Sequence, residues 1–339
     1  MRSASTPPLR VGIIGCGAIG KKRAESLGDD VLVATFDIDH SRSEQLAQAH
    51  RATSCSNLHQ LFSMALDVVI VATLHRDLAG LSVQAIEAGC DVLVEKPAGI
   101  CVADIDAITK SATAHGKLVK VGFNHRFHPG IARAVEQAHS GVHGRVLYFR
   151  ARYGHGGRLG YEKEWRADPA LSGGGEIVDQ GMHLLDLSYW LLGELPLEHA
   201  LLRTQFWNAP VDDNAVLVLG EKSAIGSDAP FTLLHVSWTE WKNTFSLEIA
   251  CERAKLAIDG LVRSYGPQKL RIYSMRPELG PPDLEEIDYP DEDHSWAHEW
   301  QHFGAAVRAR DGRQLLGDLA SARYAWSCIE RAQQLASSS

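Results

Sequence analysis

Three short stretches of this 339-residue chain combine residue types and spacings suited to chemistry. The first is Gly15-Cys16-Gly17-Ala18-Ile19-Gly20, placed directly after the apolar run Val11–Ile14. In a glycine pattern of this kind the first glycine permits a tight turn and the second lets a diphosphate approach the backbone. The third allows close helix–strand packing, and the helix N-terminus attracts negative charge. The second expected strand ends in Asp37, at the distance where a carboxylate accepts hydrogen bonds from an adenosine ribose. A carboxylate there repels a 2′-phosphate, which favours NAD over NADP. Arg42 is near enough in sequence to keep NADP open.

The second stretch, Glu95-Lys96-Pro97, ends the run Asp91–Glu95. A lysine at a strand's carboxyl end is well placed for chemistry, and the proline can fix the turn through a cis bond. The bland alternative is a solvated lysine. The third runs Gly173-Gly174-Gly175-Glu176-Ile177-Val178-Asp179-Gln180-Gly181-Met182-His183. Asp179 and His183 are four apart on an expected helix over 176–192, so they would share a face. Imidazole exchanges protons near neutral pH and a carboxylate can orient it, which makes an acid–base unit; the alternative is a helix-supporting surface pair. Ile177, Leu184, Leu187 and Leu191 form a core stripe on a neighbouring face.

Between Tyr153 and Gly173 a loop carries His155, Arg158, Tyr161, Lys163, Trp165 and Arg166, with Arg150 and Arg152 just before it. Aromatic rings can stack on a sugar, and arginines can grip a phosphate or carboxylate. A solvated basic loop reads equally well. His298-Glu299-Trp300-Gln301-His302, extended by His294, matches a zinc-binding pattern. A catalytic zinc needs a third ligand and an open position that nothing in the sequence specifies, so no metal is expected.

The elements that must position these residues fall into two groups. From Arg10 to Phe123, short β-branched runs alternate with helical patterns: strands at 10–14, 31–37, 67–73, 91–95 and 118–123, and helices at 20–27, 41–49, 77–88 and 102–115. This alternation implies parallel βαβ units, whose ligands lie at the carboxyl ends of the strands. After a helix at 129–139, a long strand at 145–153 and the helix at 176–192, extended runs follow at 201–207, 215–219, 231–241, 244–251, 255–258 and 270–274. Strands without crossovers imply a mainly antiparallel sheet. The proline- and acid-rich segment 277–293 reads mostly as loop, and helices at 295–309 and 316–335 close the chain. The expected organisation is an α/β chain, with a Rossmann dinucleotide-binding domain over 1–124 and a C-terminal α+β domain with a large open sheet over 125–339, whose last helices can pack back on the first.

Composition sets the limits. Hydrophobic residues are 45%, charged residues 22%, and the formal net charge is −8. Without a basic face the chain is not expected to bind nucleic acid. Its apolar runs are too short to cross a bilayer, and the polar start lacks the apolar core of a secretory signal. The six cysteines form no C-x-x-C pair and read as mostly buried, reduced thiols of a cytoplasmic protein.

Taken in order, the glycine motif, Glu95-Lys96-Pro97, Gly122-Phe123-Asn124-His125-Arg126-Phe127-His128-Pro129 and the Gly173–His183 stretch resemble the glucose-fructose oxidoreductase / inositol dehydrogenase / MocA family along essentially the whole chain. The resemblance implies an NAD(P)-dependent oxidoreductase that moves a hydride between nicotinamide and a secondary hydroxyl or keto group of a sugar, nucleotide-linked sugar or cyclitol. Lys96, Asp179 and His183 would be catalytic, with Lys96 on the reacting oxygen and His183 as acid/base. The cofactor would be held by Gly15, Gly17, Ala18, Ile19, Gly20, Asp37, Thr73, Glu95, Lys96, Pro97, Asn124 and Arg126. The substrate would meet Lys96, Arg126, Tyr153, Arg158, Trp165, Arg166, Asp179 and His183. The sheet of the second domain would join a homodimer or homotetramer. Where the family often has Thr-Pro-Asn-x-x-His, this chain has Thr73-Leu74-His75-Arg76-Asp77-Leu78, so nicotinamide-side contacts differ. The alternatives are an NADP-preferring keto-sugar or carbonyl reductase, and a non-catalytic dinucleotide sensor of the same fold.

Overall fold

The computed structural model describes residues 7–222, 225–278 and 280–337. The chain divides into two compact units. One gathers residues up to Gly99 with Ala103–Gly122 and Trp296–Leu319; the other takes Ile100–Val102, Phe123–Ser295 and the chain from Ala320 on.

In the first unit the elements run β1 (Arg10–Ile14), α1 (Ala18–Glu25), β2 (Val31–Phe36), α2 (His40–His50), β3 (Thr53–Ser54), α3 (Leu58–Phe62), β4 (Val68–Val71), α4 (His75–Glu87), β5 (Asp91–Val94), α5 (Val102–His115) and β6 (Val119–Val121). The strands form one sheet in the order β3-β2-β1-β4-β5-β6, and every pairing is parallel. Each residue of β4 and β5 is buried, which explains their unbroken apolar reading. The strand order reverses at β1 and β4, the crevice where a doubly wound sheet takes its ligand. The short β3 and α3 escaped the sequence reading because a two-residue strand has no period to detect.

The second unit contains α6 (Pro129–His139), β7 (Val146–Gly154), α7 (Pro169–Ser172), α8 (Glu176–Asp179), α9 (Gly181–Leu192), β8 (Leu197–Arg203), β9 (Asn214–Leu219), β10 (Phe231–Ser237), β11 (Thr244–Cys251), β12 (Ala254–Asp259), β13 (Lys269–Ser274) and β14 (Asp283–Asp288). Of the closing helices, α10 (Ser295–Ala309) falls almost wholly in the first unit and α11 (Leu319–Ser337) in the second. The eight-stranded sheet runs β14-β13-β12-β11-β7-β10-β9-β8. It is antiparallel except for β7 beside β10. Helix α9 lies on β7 and β10, and α6 on β11 to β13.

Two expectations change. The proline- and acid-rich segment is not mostly loop: Asp283–Asp288 adds an edge strand. Its carboxylates answer the basic residues of β13 and the turn, with Arg271 on Glu286, Lys269 on Glu286 and Asp288, and Arg276 on Asp283. The single helix expected over 176–192 is two, α8 and α9, parted at Gln180. Asp179 therefore ends one helix while His183 lies in the first turn of the next, and their spacing is not that of one continuous face. The core stripe survives the break, since Ile177, Leu184, Leu187 and Leu191 are all buried.

The first unit is tied together by a buried ionic cluster. The Arg23 side chain, 1% exposed, reaches Glu95 and Glu299 at 2.6 Å each, and Lys120 lies 3.0 Å from Glu299. Burial works against ionising Glu299, but Arg23 and Lys120 together hold its carboxyl below the usual range. Glu95 is pushed up by burial, which Arg23 only partly offsets. Glu299 is the central acid of the zinc-like pattern, so its role here is to balance internal charge. His302, also of that pattern, accepts the Leu316 amide through Nε2 at 2.9 Å.

Glu299→Gln leaves two buried cations with one carboxylate. Urea unfolding should show a loss on the order of 3–5 kcal/mol, the range for breaking a buried pair. A variant as stable as the parent would show that the cluster does not hold the unit.

Candidate functional site

Each glycine of the first unit's turn meets a different steric demand. Gly15 has φ +94°, and a Cβ there would lie 2.4 Å from the Ala72 carbonyl oxygen. A Cβ on Gly20 would lie 2.0 Å from the Gly15 oxygen, so α1 can seat on the turn only with glycine at that place. A Cβ on Gly17 would meet nothing within 4 Å. The middle glycine thus faces open space at the start of α1, where the free amides and the helix dipole favour an anion. Ala18 and Ile19 form the exposed first turn, and Thr73 packs its methyl group beside Gly15.

Asp37, half-buried at the end of β2, accepts the Cys16 amide at 2.7 Å on one oxygen and the Asp39 amide at 2.8 Å on the other. It anchors the turn, and each oxygen keeps a lone pair for a ribose hydroxyl. Arg42 is drawn to Asp39 at 3.1 Å. At the end of β5 the Lys96–Pro97 bond is cis and Lys96 is half-buried. Glu95, expected at the cofactor, is instead turned into the ionic cluster. A buried carboxylate finds its counter-charge in Arg23, which the sequence places far away.

In the second unit, Asp212 shapes the triple-glycine turn. Its carboxylate accepts the amides of Gly175 at 3.1 Å and Ile177 at 2.8 Å, while burial pushes its pKa up to about 6. A Cβ on Gly175 would lie 2.0 Å from the Asp212 carbonyl oxygen, which excludes any side chain. The turn delivers Glu176, Asp179 and His183. His183, 6% exposed, is stacked on His125 with centroids 3.7 Å apart, and Phe123 meets it edge-on at 6.3 Å.

Tyr153 lies 5.2 Å from His125 and 6.3 Å from His183, and it hydrogen-bonds Tyr265, which accepts from Gln180 Nε2 at 3.1 Å. Burial, Tyr265 and the charge of Asp179 keep Tyr153 far above its ordinary range; burial likewise pushes Tyr265 up to about 12. Both phenols stay protonated and able to donate.

Asp179 lies within 4.8 Å of Glu176 and His155, and Arg166 reaches it at 3.4 Å while lying over the Trp165 ring. The carboxylates and His155 have the residue types of a metal site. However, the Gly157 amide donates to His155 Nδ1 at 2.9 Å. That lone pair is taken and the neutral ring must carry its proton on Nε2, so neither nitrogen offers a ligand electron pair.

The chain is matched by two models of one family. Residues 9–123 match the oxidoreductase family's NAD-binding Rossmann fold, and residues 131–257 match the GFO/IDH/MocA C-terminal domain. The chain belongs to the Gfo/Idh/MocA oxidoreductase family. D-glucoside 3-dehydrogenase of Escherichia coli is 33% identical over 57% of this chain and 57% of its own length. The match thus spans little more than half of that relative. Among solved structures, levoglucosan dehydrogenase with NADH and levoglucosan superposes with a TM-score of 0.83 at 18% identity, covering 97% of this chain and 98% of that one. UDP-N-acetylglucosamine 3-dehydrogenase from Acidithiobacillus ferrooxidans gives 0.77 at 20%, with the same coverage.

Within this Gfo/Idh/MocA member, the structure brings together Asp179 with Arg166 and Trp165, and Tyr153 with His183. It gives other expected residues different occupations. Arg126 is 4% exposed and grips Asp186 through Nε at 2.8 Å and Nη2 at 2.6 Å, with Ser321 also on Nη2. Asn124 bonds Ser295 at 2.9 Å. Arg158 pairs with Glu164 at 2.6 Å and is 72% exposed. Arg150 and Arg152 pair with Glu248 and Glu240 on the sheet's outer face. Residue type and spacing do not single out His125, Glu176, Tyr265 or Asp212. The first two lie inside the motifs, whereas Tyr265 ends a short 3-10 turn over Arg263–Tyr265 and Asp212 lies in a loop, neither with a local signal.

Gly17→Ala should leave thermal stability nearly unchanged and weaken NADH binding about tenfold or more, ~1.4 kcal/mol. Gly20→Ala should lower the melting temperature outright. Fluorescence titration and melting curves check both, and a Gly17→Ala protein that binds NADH normally would contradict the cradle.

Proposed function

We propose that this chain is an NAD-dependent dehydrogenase acting on a secondary hydroxyl of a sugar-like substrate. The observation that carries the proposal is the fixed, nearly dehydrated imidazole of His183, walled by His125, Phe123 and Tyr153 and preceded by the Glu176–Asp179 carboxylates. Such a group can take a proton from a hydroxyl without losing its orientation. The cradle of Gly15, Gly17, Gly20 and Asp37 would hold NAD, which supplies the hydride acceptor when bound. Lys96 would donate a hydrogen bond to the reacting oxygen, and His183 would exchange its proton. Asp179 would accept from a neighbouring substrate hydroxyl, with Tyr153 and Tyr265 as neutral donors. Trp165 and Arg166 would border the sugar ring, and Arg158 can exchange Glu164 for an anionic group.

The choice of NAD rests on Asp37 at the ribose position and on Arg42 held by Asp39. The names of the relatives, a glucoside, a levoglucosan and a UDP-sugar dehydrogenase, support a sugar substrate. Among the described residues no helix is long and apolar enough to cross a membrane. Free cysteines, buried except Cys101, fit a reducing cytoplasm. The outer face of the eight-stranded sheet would join copies of the chain, since Leu201 and Phe231 stand exposed there among charged pairs.

His183→Ala should lower kcat about 10²–10⁴-fold, the range for a lost general base, with NADH affinity retained. Unchanged turnover of a sugar that reduces NAD⁺ would remove His183 from the mechanism.

A further inference from the structure

We propose that His125 is a positioning residue that sets the proton affinity of His183 through their ring stack. The inference rests on His183 being the proton-exchanging group proposed above. The two imidazoles lie with centroids 3.7 Å apart and planes 24° from parallel, 4% and 6% exposed. At that separation, with little water between them, a proton on one ring strongly disfavours a proton on the other. The pair therefore takes up its two protons in separate steps, and each step belongs to the pair rather than to one residue. The consequence for catalysis is directional. A histidine that must accept a proton has to start neutral, and its neighbour has to be neutral when the proton arrives. The stack favours release of that proton once transfer is complete.

Other groups around the pair do not remove the effect. From the segment carrying His125, His128 meets it edge-on at 5.6 Å and Asn124 Oδ1 lies 3.2 Å from its Nδ1. From β7, Tyr153 faces both rings and stays a neutral phenol, as does Tyr265 behind it. From β11, Phe245 is apolar, at 6.0 Å from His125. Arg126, beside His125 in the chain, is neutralised by Asp186 one turn along α9. Glu176 and Asp179 of α8 are the acids that precede His183 in sequence, and Arg166 partners Asp179. A carboxylate favours the protonated form of an imidazole, and it does not cancel the repulsion between two protons held in one stack.

The test is NMR titration of the histidine ring Cε1–H resonances of the full chain, assigned by the loss of one signal in His125→Phe and one in His183→Gln. In the parent, both resonances should show two steps separated by about one pH unit or more. In His125→Phe, which keeps an aromatic ring in the stack, His183 should titrate in one step, and the acid limb of kcat/KM should move to higher pH with KM little changed. His125→Gln should do the same if the phenylalanine variant does not fold. Two independent single-step titrations in the parent would overturn the proposal whatever the variants do. Coupled titration without any sugar-dependent reduction of NAD⁺ would leave the stack intact and remove the dehydrogenase reading instead.

Discussion

Arg23 sets the main constraint on the first unit. A guanidinium at 1% exposure cannot be left without counter-charge, and two carboxylates supply it. One is Glu95, which fixes the end of β5 and so the backbone that presents Lys96. The other is Glu299, which draws α10 in from 276 residues beyond Arg23 along the chain. Trp296 covers the cluster, with its ring 4.2 Å from Lys22 Nζ and 4.3 Å from the Arg23 guanidinium carbon. Gly122 completes it: a Cβ there would lie 2.7 Å from Arg23 Nη2 and 2.9 Å from Glu95 Oε2. Charge balance and space together specify four separate stretches of sequence.

The second unit follows the same logic with other residues. Arg126 and Asp186 form a bidentate buried pair that locks the short helical turn carrying His125 against α9, which carries His183. Asp212 does for the triple-glycine turn what Asp37 does for the dinucleotide turn: in each, a carboxylate accepts backbone amides and fixes where the next helix begins. Several side chains that the sequence offers as ligand contacts therefore hold neighbouring elements together. Buried arginines in particular hold the frame, and the exposed ones are held by neighbouring carboxylates.

Much of this was legible in the sequence. The period-two and all-apolar runs place most strands within a few residues. The three glycines of the first motif differ sterically: a Cβ would clash at Gly15 and Gly20 and would meet nothing within 4 Å at Gly17. What was hidden is what long-range contacts decide. The helix over 176–192 breaks at Gln180 although the apolar pattern runs through it, and Asp212 holds the amides that open its first piece. The acidic segment becomes β14 because β13 offers the matching cations, which local propensity does not register. Glu95 and Arg126 look like ligand residues by position, and only three-dimensional packing shows their counter-ions. Tyr265 and Asp212 carried no motif at all.

In the proposed dehydrogenase reading, this cradle and this imidazole pair would move a hydride and a proton from one carbinol group to two acceptors. The most direct measurement follows the hydride. The protein is incubated with NAD⁺ and a panel of glucosides and cyclitols deuterated at their carbinol carbons, and the cofactor is analysed by mass and NMR. Direct transfer predicts reduced cofactor carrying one deuterium at C4 of the nicotinamide. Reduced cofactor without label, or none across the whole panel, would contradict the account.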